Sequence, residues 1–146
     1  MKVTLNFGAL KRVLKKLHQE FGDAVDGGEV IHEIVTTGGK KLHEKIVDNT
    51  PSRTGKLKSK WELGEHVKRG FNHAISVVNE EEYAEYVEHG HYQKVGQYVP
   101  EIGKRLVNSW IEGKHFVEKS TMEMEEELPD HIEGILNKKI SEVFND

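Results

Sequence analysis

The stretch EVIHEIVTTGGKKLHEKIVDNTPSRTGKLKSKWEL, residues 29–63, contains a change of hydrophobic period that decides the fold class. In its first part, aliphatic residues or glycine recur every four positions, at Val30, Ile34, Gly38, Leu42 and Ile46. Such spacing places side chains on one face of an α-helix, which predicts a helix over residues 29–48. The interior pair Gly38–Gly39 costs that helix about 1 kcal/mol per glycine relative to alanine. The pair therefore indicates either another backbone segment passing close to the helix or a bend in it.

The second part of the stretch switches to a period of two. Residues 49–55 have the composition of a turn, and Pro51 ends the helix. From Lys56 onward, charged residues alternate with Leu57, Ser59, Trp61 and Leu63. This alternation over residues 56–63 is typical of a half-buried strand. A second strand is predicted at about residues 74–78, after the Arg69–Gly70 turn, and the two strands are expected to form an antiparallel hairpin.

Helical patterns flank this hairpin. An apolar stripe predicts a first helix over residues 7–21, and a last helical pattern runs from Val117 to Phe144. Pro129 lies inside the last pattern, and an interior proline costs a helix about 3 kcal/mol. This predicts either a kink near Leu128 or two abutting helices. The predicted fold class is α+β: one domain over residues 1–146, with a small antiparallel sheet, an N-terminal helix pair and a long C-terminal helix.

The pattern between the hairpin and the last helix is weaker. Residues 83–88 mix aromatic, aliphatic and acidic side chains, which is typical of a short helical turn or an edge strand. Residues 91–109 are predicted to form a long flexible loop, because glycines and Pro100 separate isolated apolar residues there. Structureless loops longer than about 12–15 residues in compact domains are usually functional or disordered.

The net charge of −4 conceals two halves of opposite sign. Residues 1–73 carry 14 basic and 9 acidic side chains, which gives +5, whereas residues 74–146 carry 7 and 16, which gives −9. A subunit with this polarity suits head-to-tail association. The absence of cysteine excludes disulfides and thiolate chemistry. No apolar run approaches the roughly 20 residues that span a bilayer, and no signal-peptide pattern is seen, so synthesis in the cytoplasm is expected.

Candidate catalytic and metal-binding groups match no established motif. Glu88, His89 and His91 are close enough in sequence to ligate a metal together, but their spacing fits none of the known sites. No nucleophile elbow, phosphate-binding loop or dinucleotide fingerprint occurs. The sequence therefore predicts a protein that is not an enzyme and that requires neither a cofactor nor a metal.

A basic cluster supports an alternative function. Its members lie between residues 53 and 69 and are Arg53, Lys56, Lys58, Lys60, Lys68 and Arg69, with Trp61 among them. Such a cluster can bind a nucleic-acid backbone. The favoured interpretation is instead that these lysines form the solvent face of a strand whose Trp61 points into the core, and the acidic second half would repel nucleic acid.

Three stretches carry a family resemblance. They are TPSRTGKL at residues 50–57, YAEYVEHGH at residues 83–91 and WIEGKHF at residues 110–116. In order and spacing they resemble the tail-component family of long-tailed bacteriophages, whose members are tail-completion or head-tail joining neck proteins. The stretch from Tyr92 to Asn108 is longer than the corresponding link in that family.

The resemblance implies an α+β fold and a non-enzymatic structural protein that completes the tail end and joins it to the head-side connector. The implied partners are a connector or stopper protein and a tail tube or tail terminator protein. It also implies a homo-oligomeric ring when assembled, with a free form that can be monomeric, located in the virion neck. DNA would pass nearby without sequence-specific binding. Part of Glu80–Glu88 or Glu123–Glu127 is expected to line the channel or the ring contact.

The resemblance also implies roles for individual residues. The architectural set is Pro51, Thr54, Gly55, Trp61, Tyr83, Tyr86, Gly90, Trp110 and Gly113. Pro51 is expected to fix the helix exit, Gly55 and Gly90 to allow tight turns, and the four aromatic residues to supply buried area. Partner contacts are expected at Tyr92, Lys94, Tyr98, Val99, Arg53 and Lys56.

Overall fold

A computed structural model describes residues 1–8, 10–51 and 55–145 and shows the predicted α+β class. The helices are α1 (Leu10–Phe21), α2 (Gly27–Asn49), α3 (Lys56–Ser59), α4 (Ala84–His89) and α5 (Phe116–Phe144). The strands are β1 (Lys2–Asn6), β2 (Glu62–Leu63), β3 (Val67–Arg69), β4 (Asn72–Val78), β5 (Gly90–Tyr92), β6 (Tyr98–Val99), β7 (Lys104–Arg105) and β8 (Trp110–Glu112). None of the described helices combines the length and the hydropathy that a membrane span needs.

Helix α2 is the centre of the packing, and it confirms the helix predicted over residues 29–48. It begins two residues earlier because the Asp26 carboxylate accepts hydrogen bonds from the backbone N–H groups of Gly28 and Glu29, at 3.0 and 3.2 Å. Its buried residues face the sheet on one side and α5 on another. They are Val30, Ile31, Ile34, Val35, Gly38, Gly39, Leu42 and Ile46.

The two interior glycines of α2 are explained by close side-chain neighbours. A Cβ atom added at Gly39 would lie 2.6 Å from Cδ1 of Ile75 in the sheet. One added at Gly38 would lie 3.0 Å from Cζ of Phe7 and 3.5 Å from Nε2 of His131 in α5. The helix thus gives up helical propensity so that the sheet and α5 can approach it.

The main sheet contains two strands that the sequence prediction missed, β1 and β3, and it is β3 rather than the predicted strand at residues 56–63 that forms the hairpin with β4. Strand β4 lies in the middle and pairs antiparallel with β1 on one side and with β2 and β3 on the other. β1 was missed because residues 7–21 were taken as the first element, although Val3, Leu5 and Phe7 alternate and are all buried. The predicted strand at residues 74–78 is confirmed within β4, and β3 and β4 form a hairpin about Gly70, whose φ is +62°.

The predicted strand over residues 56–63 is wrong for its first half. Residues 56–59 form the short helix α3, and only Glu62–Leu63 pair with β4. The pattern misled because Leu57 and Trp61, both buried, are four residues apart and therefore satisfy a helical period as well as an alternating one. Gly55, with a φ of +71°, precedes α3 in the left-handed region, as its predicted turn role requires.

Helix α5 continues through Pro129 as one helix, so the alternative of two abutting helices is wrong. Proline removes the hydrogen bond to the carbonyl of Glu125, and both residues are exposed, so water can reach that carbonyl. Besides the apolar packing between α2 and α5, ion pairs join these helices. They join Lys45 to Glu127 at 2.7 Å and Lys139 to Glu33 at 2.9 Å.

Residues 91–109, predicted as a loop, contain regular structure. Strand β5 pairs antiparallel with β8, and β6 pairs antiparallel with β7 further out. After α4 the chain runs outward and returns before α5 as one antiparallel ribbon. The described residues on either side of this ribbon, within 1–89 and 113–145, are called the body. We call this ribbon, residues 90–112, the arm. Its flexibility stays a prediction.

Candidate assembly interface

The arm is built by backbone hydrogen bonds between its two halves. Beyond the β5–β8 pair, the N–H of Gln93 donates to the carbonyl of Ser109 at 3.0 Å. The N–H of Gly96 donates to Leu106 at 2.7 Å, and the N–H of Leu106 donates to Gln97 at 2.9 Å. The ribbon therefore continues from its root to the β6–β7 pair, and a turn around Gly103 closes it.

The arm carries most of the exposed apolar surface. Six of the eleven large hydrophobic residues that are exposed in the described chain lie on it: Tyr92, Val95, Tyr98, Ile102, Val107 and Trp110. Tyr92 is 82% exposed and Val107 is 78% exposed. Single exposed apolar residues are ordinary on protein surfaces, but a concentration in one segment is typical of an interaction site.

The two faces of the arm differ at its root. On one face, His91 and Ile111 are opposite each other and line a cavity against the body. On the other face, the rings of Tyr92 and Trp110 lie edge to face, with centroids 4.7 Å apart. The root therefore anchors one face to the body and presents an aromatic pair to solvent.

Glu88, on α4 just before the arm, links α4 to the start of α5. Its side chain is 2% exposed, and its carboxylate accepts from the N–H of Val117 at 2.8 Å and from the N–H of Glu118 at 2.9 Å. N–H groups in the first turn of a helix have no acceptor within the helix, and Glu88 supplies one for each of these two. Its negative charge is also stabilised by the positive end of the helix dipole. In the sequence, Glu88 stood out only within the stretch YAEYVEHGH and as a possible metal ligand, because nothing local signals a contact with a helix that begins 28 residues later.

Gly90 and Gly113 let the two ends of the arm meet. A Cβ atom at Gly113 would lie 2.2 Å from the carbonyl oxygen of Glu88, and one at Gly90 would lie 2.5 Å from that of Ile111. Gly90 also has a φ of +88°. The N–H groups of Lys114 and His115 donate to the carbonyls of residues 87 and 88, at 2.7 and 3.1 Å. The last two sequence motifs thus meet in one backbone junction.

A cavity of about 460 Å³ lies beside this junction. Its lining is mainly apolar and consists of Pro51, Leu57, Tyr83, Tyr86, Val87, His91, Ile111, Glu112 and Lys114. Among the described residues, none supplies a hydrogen-bond partner to the buried Nδ1 of His91.

The expected partner-contact residues divide into two groups. Tyr92, Lys94, Tyr98 and Val99 all lie on the arm. Lys56 lies on α3, where its Nζ is 3.5 Å from Oε2 of Glu81. Arg53, like the motif residue Thr54, is outside the described residues.

The expectation of buried aromatic area holds for Trp61 and fails for two others. Trp61 is buried, and its indole N–H donates to the hydroxyl of Thr50 at 3.0 Å. Tyr83 is half-buried. Tyr86 and Trp110 are exposed instead, because α4 is a single short helix and Trp110 lies on the outer face of the arm. With Trp61 in the core, the basic cluster also lacks the aromatic residue that would stack on a nucleic-acid base.

Three histidines form a separate chain of hydrogen bonds on the body. Nδ1 of His32 is 3.0 Å from Nδ1 of His66, and Nε2 of His66 is 2.8 Å from Nδ1 of His73. Burial and neighbouring positive groups, Lys68 among them, lower the pKa of His66 and the pKa of His73. In the part of the chain that is described, no group of three or more His, Asp or Glu residues is arranged to hold a metal ion.

Comparison with known families assigns this chain to a family through residues 9–90. A family model for the bacteriophage HK97-gp10 tail component matches residues 9–90, more than half of the 146-residue chain. The chain belongs to the HK97-gp10-like family of phage tail components. No curated protein and no solved structure matches the chain.

The family match ends at Gly90, where the arm begins. It therefore covers the helices α1 to α4 and the strands β2 to β4, and leaves β1, most of the arm and α5 outside. Membership of the HK97-gp10-like family supports a structural role in the phage tail. It also implies a location in the virion and contacts with other virion proteins.

Proposed function

We propose that this HK97-gp10-like chain is a non-enzymatic protein that completes the phage tail and joins it to the head-side connector. Its partners are a connector or stopper protein on the head side and a tail tube or tail terminator protein on the tail side. The observation that supports this joining role is the arm, which extends from a family-matched body and carries six exposed apolar residues. A joining protein needs such a surface, because the removal of exposed apolar area from water stabilises the complex with a partner.

The same proposal includes a homo-oligomeric ring that forms on the partner, around the path of the DNA. Opposite net charges in the two halves of the chain, +5 and −9, suit contacts between unlike surfaces of neighbouring copies. Unlike surfaces that meet repeatedly close into a ring when the rotation permits. Acidic side chains such as Glu80, Glu82 and Glu85, which are exposed, would keep DNA from adhering to the ring.

Deletion of the gene from its phage or prophage tests the proposal. Electron microscopy of the lysate is expected to show separate DNA-filled heads and finished tails, and the wild-type gene supplied in trans is expected to restore whole particles. Intact virions from the deletion strain would contradict the joining role. Heads without tails anywhere in the lysate would contradict it as well, since they would place the chain in tail assembly itself.

A further inference from the structure

The arm has a positive as well as an apolar character. Between residues 92 and 110 it carries Lys94, Lys104 and Arg105 against Glu101, which gives +2. All three basic side chains are exposed. The apolar residues Tyr98 and Ile102 lie beside them at the outer end, so the tip is an apolar surface edged by positive charge.

The first half of α5 presents a surface of the opposite kind. Residues 116–133 carry seven acidic side chains and one lysine, which gives −6. Glu118, Met122, Glu125 and Glu126 follow helical spacing, are all exposed, and share one side of α5. We call these four residues the acidic face. Met122 is its apolar centre, at 57% exposure. A depression of about 340 Å³ lies there, lined by Glu118, Met122 and Glu126 of the acidic face together with His115, Lys119 and Glu123.

The two surfaces do not satisfy each other within one chain. Among the described elements, β6 and β7 pack chiefly on each other. Among the described residues, the acidic face makes one close contact of this type, a local one in which His115 Nδ1 lies 3.4 Å from Glu118 Oε2. Exposed pairs of this kind stabilise a protein little. A basic apolar tip and an acidic surface with an apolar centre and a depression are thus available on every copy.

We infer that the arm of one copy docks on the acidic face of the next copy. The inference rests on the proposed function, since it names the contact that forms the ring. The contact joins two unlike surfaces, so each copy uses its arm on one neighbour and offers its acidic face to the other, and the series closes as a ring. Charge complementarity selects the orientation, and burial of Tyr98 and Met122 stabilises the contact.

Cysteine cross-linking tests this contact directly, because the native chain contains no cysteine. Tyr98→Cys and Met122→Cys replace exposed residues, so both variants are expected to fold. Mixed at high protein concentration with a short bismaleimide, they are expected to give a covalent dimer. The double variant is expected to give a ladder of oligomers that ends at the ring size. The same reaction is repeated on particles assembled in a complemented deletion strain.

The matched control is Phe144→Cys, on the same helix, with 67% exposure and outside the acidic face. Paired with Tyr98→Cys, it is expected to give at most about a tenth of the dimer, the ratio that 1.4 kcal/mol of contact free energy produces. Equal yields from the two pairs would overturn the inference. So would the absence of the Tyr98–Met122 product both in concentrated protein and in particles.

Charge reversal provides a second, independent test. Lys104→Glu with Arg105→Glu, or Glu125→Lys with Glu126→Lys, is expected to reduce the ladder roughly tenfold or more, because like charges then face each other. All four changes together restore opposite charges and are expected to restore the ladder. Failure of the four-fold variant to regain cross-linking while circular dichroism shows a folded protein would overturn the contact.

The two proposals fail in distinguishable ways. If the charge-reversed variants complement the deletion and particles show no arm-to-face product, the joining role stands and the ring contact is wrong. If the cross-links form and the deletion strain still makes whole virions, the contact stands and the joining role is wrong.

Discussion

The two tryptophans of the chain lie in regions of opposite character. Trp61 belongs to the body, is 4% exposed and packs edge to face on Phe116, with ring centroids 6.1 Å apart. Trp110 belongs to the arm and is 37% exposed; its ring lies edge to face on the exposed ring of Tyr92, and its indole N–H donates to Glu112 at 2.8 Å. In the body, the aromatic ring of Trp61 packs elements against each other, whereas in the arm the rings of Trp110 and Tyr92 stay partly exposed to solvent.

This difference separates stability from assembly. In the body, α2 is surrounded by the sheet, α1 and α5, so its apolar residues are covered by the chain itself. The arm has backbone hydrogen bonds but little apolar cover, and its side chains contribute little to folding. Substitutions in the body should therefore lower the free energy of unfolding, and substitutions in the arm should lower assembly.

Trp61→Ala is expected to have the largest effect. It leaves a cavity beside Phe116 and removes the indole hydrogen bond to Thr50, which should reduce the free energy of unfolding by about 3–5 kcal/mol. The matched control Trp110→Ala should cost clearly less than Trp61→Ala, because the ring of Trp110 is already 37% exposed whereas that of Trp61 is buried. Urea denaturation of both variants measures the difference. Equal losses would break the distinction between body and arm.

Glu88→Ala is expected to come next, because Glu88 links α4 to α5 at the point where the arm leaves the body. The change leaves the N–H groups of Val117 and Glu118 without their acceptor, at a cost of about 2–3 kcal/mol. Glu88→Gln keeps one acceptor oxygen and should recover part of the loss. Circular dichroism with denaturant measures both. A fully stable alanine variant would show that Glu88 does not cap α5.

The stability of the body is expected to fall as pH is lowered from 7.5 to 5.5. Burial lowers the pKa of His66 and the pKa of His73. Burial also lowers the pKa of His131, and the positive charge of Lys41 lowers it further. The unfolded chain therefore binds protons at a higher pH than the folded chain, and stability is lost below the ordinary histidine pKa of about 6.5. Thermal unfolding at three pH values tests this. His66→Gln should reduce the dependence, and a pH-independent midpoint would contradict it.

Val107→Ser is expected to have the smallest effect on folding. Val107 is 78% exposed on the arm, so the free energy of unfolding should change by no more than about 0.5 kcal/mol. Complementation of the deletion strain by this variant, compared with Val67→Ser on the body, measures the effect on assembly. Val67 is also exposed, at 47%, and serves as the matched control. A large loss of stability in Val107→Ser would place the arm within the folding core.

The hydrophobic period of the sequence predicted the long helices well. For short segments whose pattern fits more than one secondary structure, only the packing in the folded protein determines the structure. Helix α2 was predicted to within two residues because its repeat continues over five successive positions, from Val30 to Ile46. The segment at residues 56–63 was mistaken because two buried side chains four residues apart fit both periods. The arm was predicted as a loop because ribbons with both faces exposed need no apolar alternation.

The sequence by itself determined the fold class, the helix at the centre of the body and the family resemblance, because these depend on local period and on residues in a fixed order. Only the tertiary structure decided which side chains pack against Gly38 and Gly39. It also decided that Glu88 caps a helix that begins 28 residues later and that Trp110 stays partly exposed. Each of these depends on contacts between segments distant in the chain, and local sequence spacing does not specify such contacts.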